Sequence, residues 1–397
     1  MADLTPPTTP IDPASNPTRV LHLIESDGVY GAEQVVLGLV HCAGRDPRFP
    51  ATIGCLVKDV GRPNALHERA GALGLAAVKL PLGTATSPID VMRLPFTFTR
   101  LGIGLIHAHG YKAAIAGYAA HAASRIPIVA SCHLWFEESE AKWTYRWLTR
   151  LERRLYPRFA HVAGVSAPIA EKLRRWHVPE ARLSEIGNGI VIDDAERPAG
   201  QAAALRRELG IAADAFVVMN VGRLAEQKAQ ADLIAAVAQV RPAHPNIQLL
   251  ILGEGHLRAA LDEQIAAAGL RDSVRILGFK QNVGDYLAIA DAFALPSVDE
   301  GLPIALLEAL AARVPAVCTP VGATPGFLVH DVSVLFVPVH AIDALAAALQ
   351  RLIEEPDLRR ALAARGREAV QRAHSAETMY SRYREIYTRV VHGRTRR

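Results

Sequence analysis

From residue 18 onward, short apolar runs alternate with longer stretches whose apolar residues recur at helical spacing. Runs of about four to eight residues bounded by turn residues read as strands buried on both faces, and the periodic stretches between them as helices. In the first half, strands are predicted at Arg19–Ser26, Ala51–Val57, Leu105–Ala108, Ile126–Ser131 and His161–Val165. Helices are predicted over Ala32–Cys42, 62–72, 111–123, 141–157 and 167–176. Residues 186–200, IGNGIVIDDAERPAG, break the pattern with Gly, Asp and Pro and read as a linker. The alternation then resumes, with strands at 215–221, 247–252, 274–277, 292–295, 315–319 and 334–337. Helices are predicted near 202–208, 228–239, 256–268, 283–290, 303–312, 341–353 and 357–372, and a last one over 376–391.

Strand–helix alternation in both halves predicts an α/β protein of two doubly wound, Rossmann-like domains with a cleft between them. The carboxyl ends of the strands, where open α/β sheets bind ligands, are expected to face that cleft. The first domain is expected to span 18–190 and the second 191–375. Residues 1–17 hold five prolines and several Ser/Thr and read as a disordered tail.

Composition narrows the class. The 397 residues are 50% hydrophobic and 21% charged, which excludes wholesale disorder, collagen and low complexity. Lys+Arg number 44 and Asp+Glu 40, a formal +4, too balanced for a protein that wraps nucleic acid by bulk charge. The excess is local. Residues 18–195 carry 21 basic and 16 acidic side chains, and residues 142–158 alone carry six basic and one acidic; both differences are +5. Cys42, Cys55, Cys132 and Cys318 show neither CxxC nor CxxH spacing, so reduced thiols are expected and a structural zinc site is not. The first residues lack the basic and apolar regions of a secretory signal. No stretch approaches the ~18 apolar residues of a spanning helix, segment 113–124 being the nearest. The expectation is a cytoplasmic protein, with peripheral contact at the inner face of the cytoplasmic membrane left open.

Several segments carry candidate chemistry. GVYGAE, Gly28–Glu33, follows the first strand and opens a helix whose N–H groups suit a phosphate. Its glycines are not spaced as GxGxxG, so a dinucleotide fingerprint is not met, and an ordinary tight turn is the other reading. In GRLAEQK, 222–228, Arg223 and Lys228 follow a strand and either clamp a diphosphate or are solvated. In SVDEGLPIALLEALA, 297–311, Pro303 fits the first helical position. Glu300 ahead of that helix and Glu308 within it can accept hydrogen bonds from sugar and ribose hydroxyls. The N–H groups of Gly301 and Leu302 can donate to the same ligand. A capping acid plus a solvated helix acid is the alternative. His107 and His109 bracket one strand end and His133 follows another; a cleft role and a structural one both stand.

The basic segment 142–158 places Trp143, Trp147, Leu151 and Leu155 four residues apart, with arginines on other faces. The favoured reading packs that stripe on the protein's own sheet. The other lays the helix on an anionic membrane surface. Arg150, Arg153 and Arg154 are candidates to touch anionic lipid or a pyrophosphate-bearing acceptor.

Taken in order, these segments resemble a retaining glycosyltransferase of the GT-B fold, family 4, the group 1 glycosyl transferases. The resemblance rests on GVYGAE, on His133, on VSAPIAEKL at 165–173 and on NGI at 188–190. It continues with GRLAEQK, with LLILGEG at 249–255, with LGF at 277–279 and with the E-x7-E of Glu300 and Glu308. It covers about residues 18–392 and is more specific in the second half.

What the resemblance implies is specific. The backbone at Gly31 would approach the donor's diphosphate, which Arg223 and Lys228 would neutralise. His133 would contact the donor sugar. Glu300 and the amides after it, those of Gly301 and Leu302 beside Pro303, would bind sugar hydroxyls, and Glu308 the ribose. Gly253 would line the donor site, and backbone around Phe279 and Lys280 would meet the base. His109, Arg150, Arg153 and Arg154 remain candidates on the acceptor side. The last helix, within 376–397, would cross back to the first domain. The donor would be a UDP- or GDP-sugar and the acceptor a lipid-linked or glycan hydroxyl, with no nucleic acid. No cofactor, metal or enzyme nucleophile is implied, because fixed cations and helix N-termini can stabilise a departing diphosphate.

The chain departs from the family pattern at four places. Ala229 and Arg313 stand where Gly is frequent, Gly326 where Glu is common, and Val191 where Asp often follows NGI. Other GT-B chemistries, a nucleotide-sugar epimerase or a phosphorylase, are the rivals within the enzyme class. A non-catalytic nucleotide-sugar-binding scaffold is the rival outside it.

Overall fold

The structure is a computed structural model that describes residues 17–26, 28–29, 31–82, 88–133, 143–192 and 199–395. All but the last residue of the expected tail, and residues 193–198 of the expected linker, lie outside that description.

The first domain runs β1 (Arg19–Glu25), α1 (Gly31–Ala43), β2 (Ala51–Val57), α2 (Ala65–Ala72), β3 (Ala77–Pro81), α3 (Pro88–Arg100) and β4 (Ile103–His109). It continues with α4 (Tyr111–Ser124), β5 (Ile128–Cys132), α5 (Trp143–Leu155), β6 (His161–Gly164), α6 (Ala167–Arg175) and β7 (Leu183–Glu185). Its seven strands are parallel, in the order β3-β2-β1-β4-β5-β6-β7. Strand alternation sends Leu21 and Leu23 into the core under α3, α4, α5 and α6. Val20 and Ile24 point the other way, toward α1 and α2 and toward a helix from the far end of the chain.

The second domain runs α7 (Ala199–Glu208), β8 (Phe216–Val221), α8 (Gln230–Val240), β9 (Ile247–Leu252), α9 (Arg258–Ala267), β10 (Val274–Ile276) and α10 (Val283–Leu287). It continues with β11 (Ala292–Leu295), α11 (Ile304–Ala311), β12 (Ala316–Cys318), β13 (Leu335–Phe336), α12 (Ile342–Glu354) and α13 (Pro356–His374). Six parallel strands take the order β10-β9-β8-β11-β12-β13. The chain thus has two Rossmann-like sheets with helices on both faces.

Then α14 (Ala376–Thr395) leaves the second domain and packs on the first. Its Met379, Tyr380, Tyr383, Ile386 and Tyr387 are buried with Val20, Leu105, Val129 and the α1 residues Val35 and Leu39. Beside it, residues 188–190 and 374–376 cross between the domains as a paired ribbon. Ile190 N–H donates to the His374 carbonyl at 2.9 Å, and Ala376 N–H to the Ile190 carbonyl at 2.7 Å. The glycines around Asn188 now have a physical reason. A Cβ on Gly189 would overlap the Ser375 carbonyl, and one on Gly187 would sit 2.9 Å from the His374 ring.

Three elements were not predicted: β3, α3 and β7. β3 is a half-buried edge strand and β7 has only three residues. α3 starts at one proline and carries another, Pro95, inside, which reads as broken helix. No helix of the described residues is long and apolar enough to cross a membrane.

Candidate active site

Each sheet has one point where strand order reverses, between β1 and β4 in the first domain and between β8 and β11 in the second. Connections leaving the two strands at such a point run to opposite faces and open a crevice at their carboxyl ends. The loops at these points carry most of the candidate residues.

In the second domain the loops after β8 and β11 are stitched together. Lys228 Nζ forms an ion pair with Glu300 Oε1. Val298 N–H donates to the Gln227 carbonyl at 2.8 Å, and Gln227 Nε2 to the Asp299 carbonyl at 2.7 Å. The two side chains of the ion pair are only 17% and 9% exposed, so each shields the other's charge where water is scarce. Lys228 lies in a single 3-10 turn, Glu226–Lys228, rather than in the helix expected from 228. Ala229 ends that turn in the left-handed region, φ 48°, before α8 begins. Arg313 also has positive φ, 60°. Both sites where the family favours glycine are therefore positions where a side chain is strained.

Backbone approach explains further glycines. At Gly253, φ 149°, a Cβ would overlap the Gly222 carbonyl, and at Gly255 it would overlap that of Leu224. The loops after β8 and β9 thus pack backbone to backbone. Arg223 is exposed beside them. Pro303 is extended and caps α11, which starts at Ile304, one residue later than expected. Among the described residues, the N–H groups of Gly301 and Leu302 show no backbone partner. They remain donors at a helix N-terminus next to Glu300. Phe279 is exposed, and Lys280 Nζ lies 5.9 Å from the centroid of the Tyr286 ring.

Glu308, on α11, is densely surrounded although part of its surface is open. Burial pushes its carboxyl up to about 7. The resemblance implies that this carboxylate accepts a ribose hydroxyl, which the ionised form does better, and on that reading nucleotide binding releases the proton. Affinity for UDP should rise as pH increases toward about 7 and then level off. Glu308→Gln should bind more weakly and show a flat profile; calorimetric titration across that range checks it. The raised value also means that the folded state holds its proton where the unfolded state does not. Stability attributable to this group should fall between pH 4.5 and about 7, and the substitution should remove that slope.

In the first domain, Gly31 begins α1 beyond the β1 turn. Ser26 Oγ braces the turn through Gly28, and Asn64 Nδ2 donates to the Ser26 carbonyl at 2.8 Å. His133 follows β5 and is buried, which lowers its pKa to about 4. An ion pair that the sequence reading missed, Glu25 with Lys112, closes the ends of β1 and α4. The only signal for it was an acid at one strand end and a cation at a helix start.

His107 and His109 do not line open space. Parallel pairing sets His107 beside His22, and alternation puts His109 on the same face. That face lies under α14. His107 Nδ1 meets the Tyr387 hydroxyl at 2.7 Å and Nε2 meets Ser131 Oγ at 2.8 Å. Ser131 Oγ in turn lies 2.6 Å from the Tyr383 hydroxyl. His22 Nδ1 and His109 Nε2 are 3.1 Å apart. Burial lowers the pKa of all three rings, that of His22 to about 3, so they are neutral at pH 7. Their nitrogens approach within 4.8 Å, close enough to consider a metal. However, both His107 nitrogens already serve hydroxyls, and a metal there would displace Tyr387 or Ser131.

Helix α5 belongs to the layer covering the sheet. Leu151 and Leu155 pack into the core, as the favoured reading of that stripe had it; the side chains of Trp143 and Trp147 lie outside the described residues. Arg150 and Arg154 are exposed, whereas the Arg153 guanidinium stacks 4.8 Å from the Trp176 ring centroid. The site residues therefore fall into three places: second-domain loops, first-domain strand ends and the helix layer.

Two families match consecutive parts of the chain. Glycosyltransferase Family 4 matches residues 35–194, and Glycosyl transferases group 1 matches residues 201–369. The chain is 33% identical over 195 residues to the lipopolysaccharide core biosynthesis glycosyltransferase LpsD of Rhizobium meliloti, covering 49% of this chain and 55% of the relative. It is 30% identical over 242 residues to a D-inositol 3-phosphate glycosyltransferase of Thermobispora bispora, covering 58% and 56%. The chain thus spans about half the length of these curated relatives. Among solved structures, Anabaena Alr3699/HepE in complex with UDP and glucose superposes with a TM-score of 0.80 at 22% identity, over 94% of this chain and 99% of that one. With two parallel sheets, two consecutive family matches and that shared architecture, the chain belongs to the group 1, family 4 glycosyltransferases of the GT-B fold.

Proposed function

We propose that the protein is a retaining glycosyltransferase that moves a sugar from a UDP- or GDP-sugar to an acceptor hydroxyl. The acceptor is lipid-linked or a glycan, in envelope or extracellular polysaccharide or glycolipid assembly. The observation that carries the reading is the Lys228–Glu300 pair at the second domain's switch point, beside exposed Arg223 and the α11 N-terminus. Without donor, the cation and the carboxylate satisfy each other. With donor, Lys228 turns to the diphosphate and Glu300 to a sugar hydroxyl, so neither is left as a lone buried charge. Departure of the nucleoside diphosphate builds negative charge on phosphate oxygens, which Lys228, Arg223 and the helix N-terminus stabilise. The donor phosphate helps to deprotonate the acceptor on the same face, which preserves anomeric configuration. The relatives' names, in lipopolysaccharide core and inositol phosphate glycosylation, support an anionic or lipid-borne acceptor.

A thermal-shift series with UDP, GDP and ADP, followed by their sugars, tests the reading. One nucleotide should raise the melting temperature in a concentration-dependent way. No response to any of the three would sink the donor assignment. Product anomers read by NMR would test retention.

A further inference from the structure

We propose that Gln230 is a positioning residue for the donor diphosphate. Its buried side-chain amide holds the Arg223 carbonyl and so sets where the Arg223 guanidinium reaches. The inference rests on the proposed function, in which Arg223 meets that diphosphate.

Arg223 is exposed, so the placing of a long, rotamer-rich side chain falls to the backbone that carries it. The residues on either side are tied to β9 and the loop after it. Gly222 N–H donates to the Leu252 carbonyl at 2.9 Å, and Leu224 N–H to the Glu254 carbonyl at 2.9 Å. The Leu224 carbonyl accepts Leu257 N–H at 3.2 Å, and the Leu224 side chain is fully buried. The Arg223 carbonyl is held from a different element, the start of α8. Gln230 Nε2 donates to it at 2.9 Å. Ala225 N–H reaches the same oxygen at 3.0 Å, but that contact is local to the loop.

The left-handed backbone of Ala229 finds a use here. Its φ of 48° ends the 3-10 turn and starts α8 at Gln230. The reversal leaves Lys228 against Glu300 and returns the next residue but one to Arg223. Each cation of the clamp thus has its own support: a carboxylate for Lys228, an amide beneath the backbone of Arg223.

The choice of side chain at 230 points the same way. Gln230 is 1% exposed, and its Oε1 is buried without a hydrogen-bond partner. Turning the amide round gives no relief, because Oε1 would then face the Arg223 carbonyl, oxygen to oxygen. A buried carbonyl oxygen left unpaired is destabilising. Methionine has a chain of similar length with no such atom and adapts well to core gaps. The position therefore keeps a polar group where an apolar one would pack, and the bond this amide makes is the one to the loop that carries Arg223.

A double-mutant cycle of Gln230→Met and Arg223→Ala tests the proposal. Calorimetric titration with UDP reads it, or with GDP where that nucleotide gives the thermal response. Gln230→Met should weaken binding by about three- to tenfold, the worth of one hydrogen bond, with a melting temperature at or above that of the wild type. In the Arg223→Ala background the same substitution should change affinity by less than about twofold, because it acts only through that guanidinium. Gln230→Glu, which presents oxygens where the amide hydrogens were, should bind no better than Gln230→Met. Wild-type affinity in Gln230→Met overturns the proposal. A loss of equal size in both backgrounds also overturns it, and makes Gln230 a brace for the fold alone. Failure of the underlying reading looks different: Arg223→Ala by itself would then bind the nucleotide as tightly as the wild type.

Discussion

Lys228→Ala is expected to lower kcat/KM for the nucleotide-sugar by about two to three orders of magnitude. On the proposed function, the lysine supplies a cation at the exit of β8, where phosphate charge grows as the sugar leaves. The substitution also strands Glu300, whose side chain is 9% exposed, without its partner. Breaking a buried pair from one side costs stability, about 3–5 kcal/mol. The two effects separate in the double variant Lys228→Ala with Glu300→Gln. Urea unfolding should show most of the stability restored, while steady-state kinetics should show transfer still lost. Recovery of activity together with stability would mean that the pair only holds the two loops in place.

The second large effect concerns α14. Tyr387→Ala is expected to destabilise the protein by about 3–5 kcal/mol, the usual cost of deleting a buried aromatic side chain. Tyr387 is fully buried, packs edge-on against Phe49 at 5.6 Å, and gives His107 Nδ1 its partner. Tyr387→Phe keeps the ring and removes only the hydroxyl, so about 1–3 kcal/mol should be lost. Chemical denaturation of the three proteins would rank them. Equal stability of the Phe variant and wild type would mean that the histidine is satisfied some other way.

How far these features were legible depends on whether they are local. β2 is predicted with its observed limits, because Ala51–Val57 is an apolar run ended by Lys58 and a Gly–Pro turn region. The Lys228 and Glu300 motifs were each readable, but not their pairing. That needs β11 to pair with β8 across the switch point, which no short window reports. The choice between a cleft role and a structural one stayed open for His107 and His109 for the same reason. Their spacing is visible, while the face they share with His22 is set by parallel register, and its cover arrives from residue 376 onward. α3 escaped notice because it starts at Pro88 and carries Pro95 inside, which breaks its propensity.

The covering of the first sheet by α14 also sets an order of events during synthesis. Chains fold largely as they emerge, N-terminal domain first. Here the strands β1, β4 and β5 emerge early, yet the helix that seals Val20, Leu105 and Val129 is translated only after the whole second domain. The second domain can close its own core while the first still carries an open apolar face with His22, His107 and His109 uncovered. A released chain truncated after residue 374 should therefore bind holdase chaperones and resist proteolysis only in its second half. The strands of the first domain are thus made first, and the helix that covers them last.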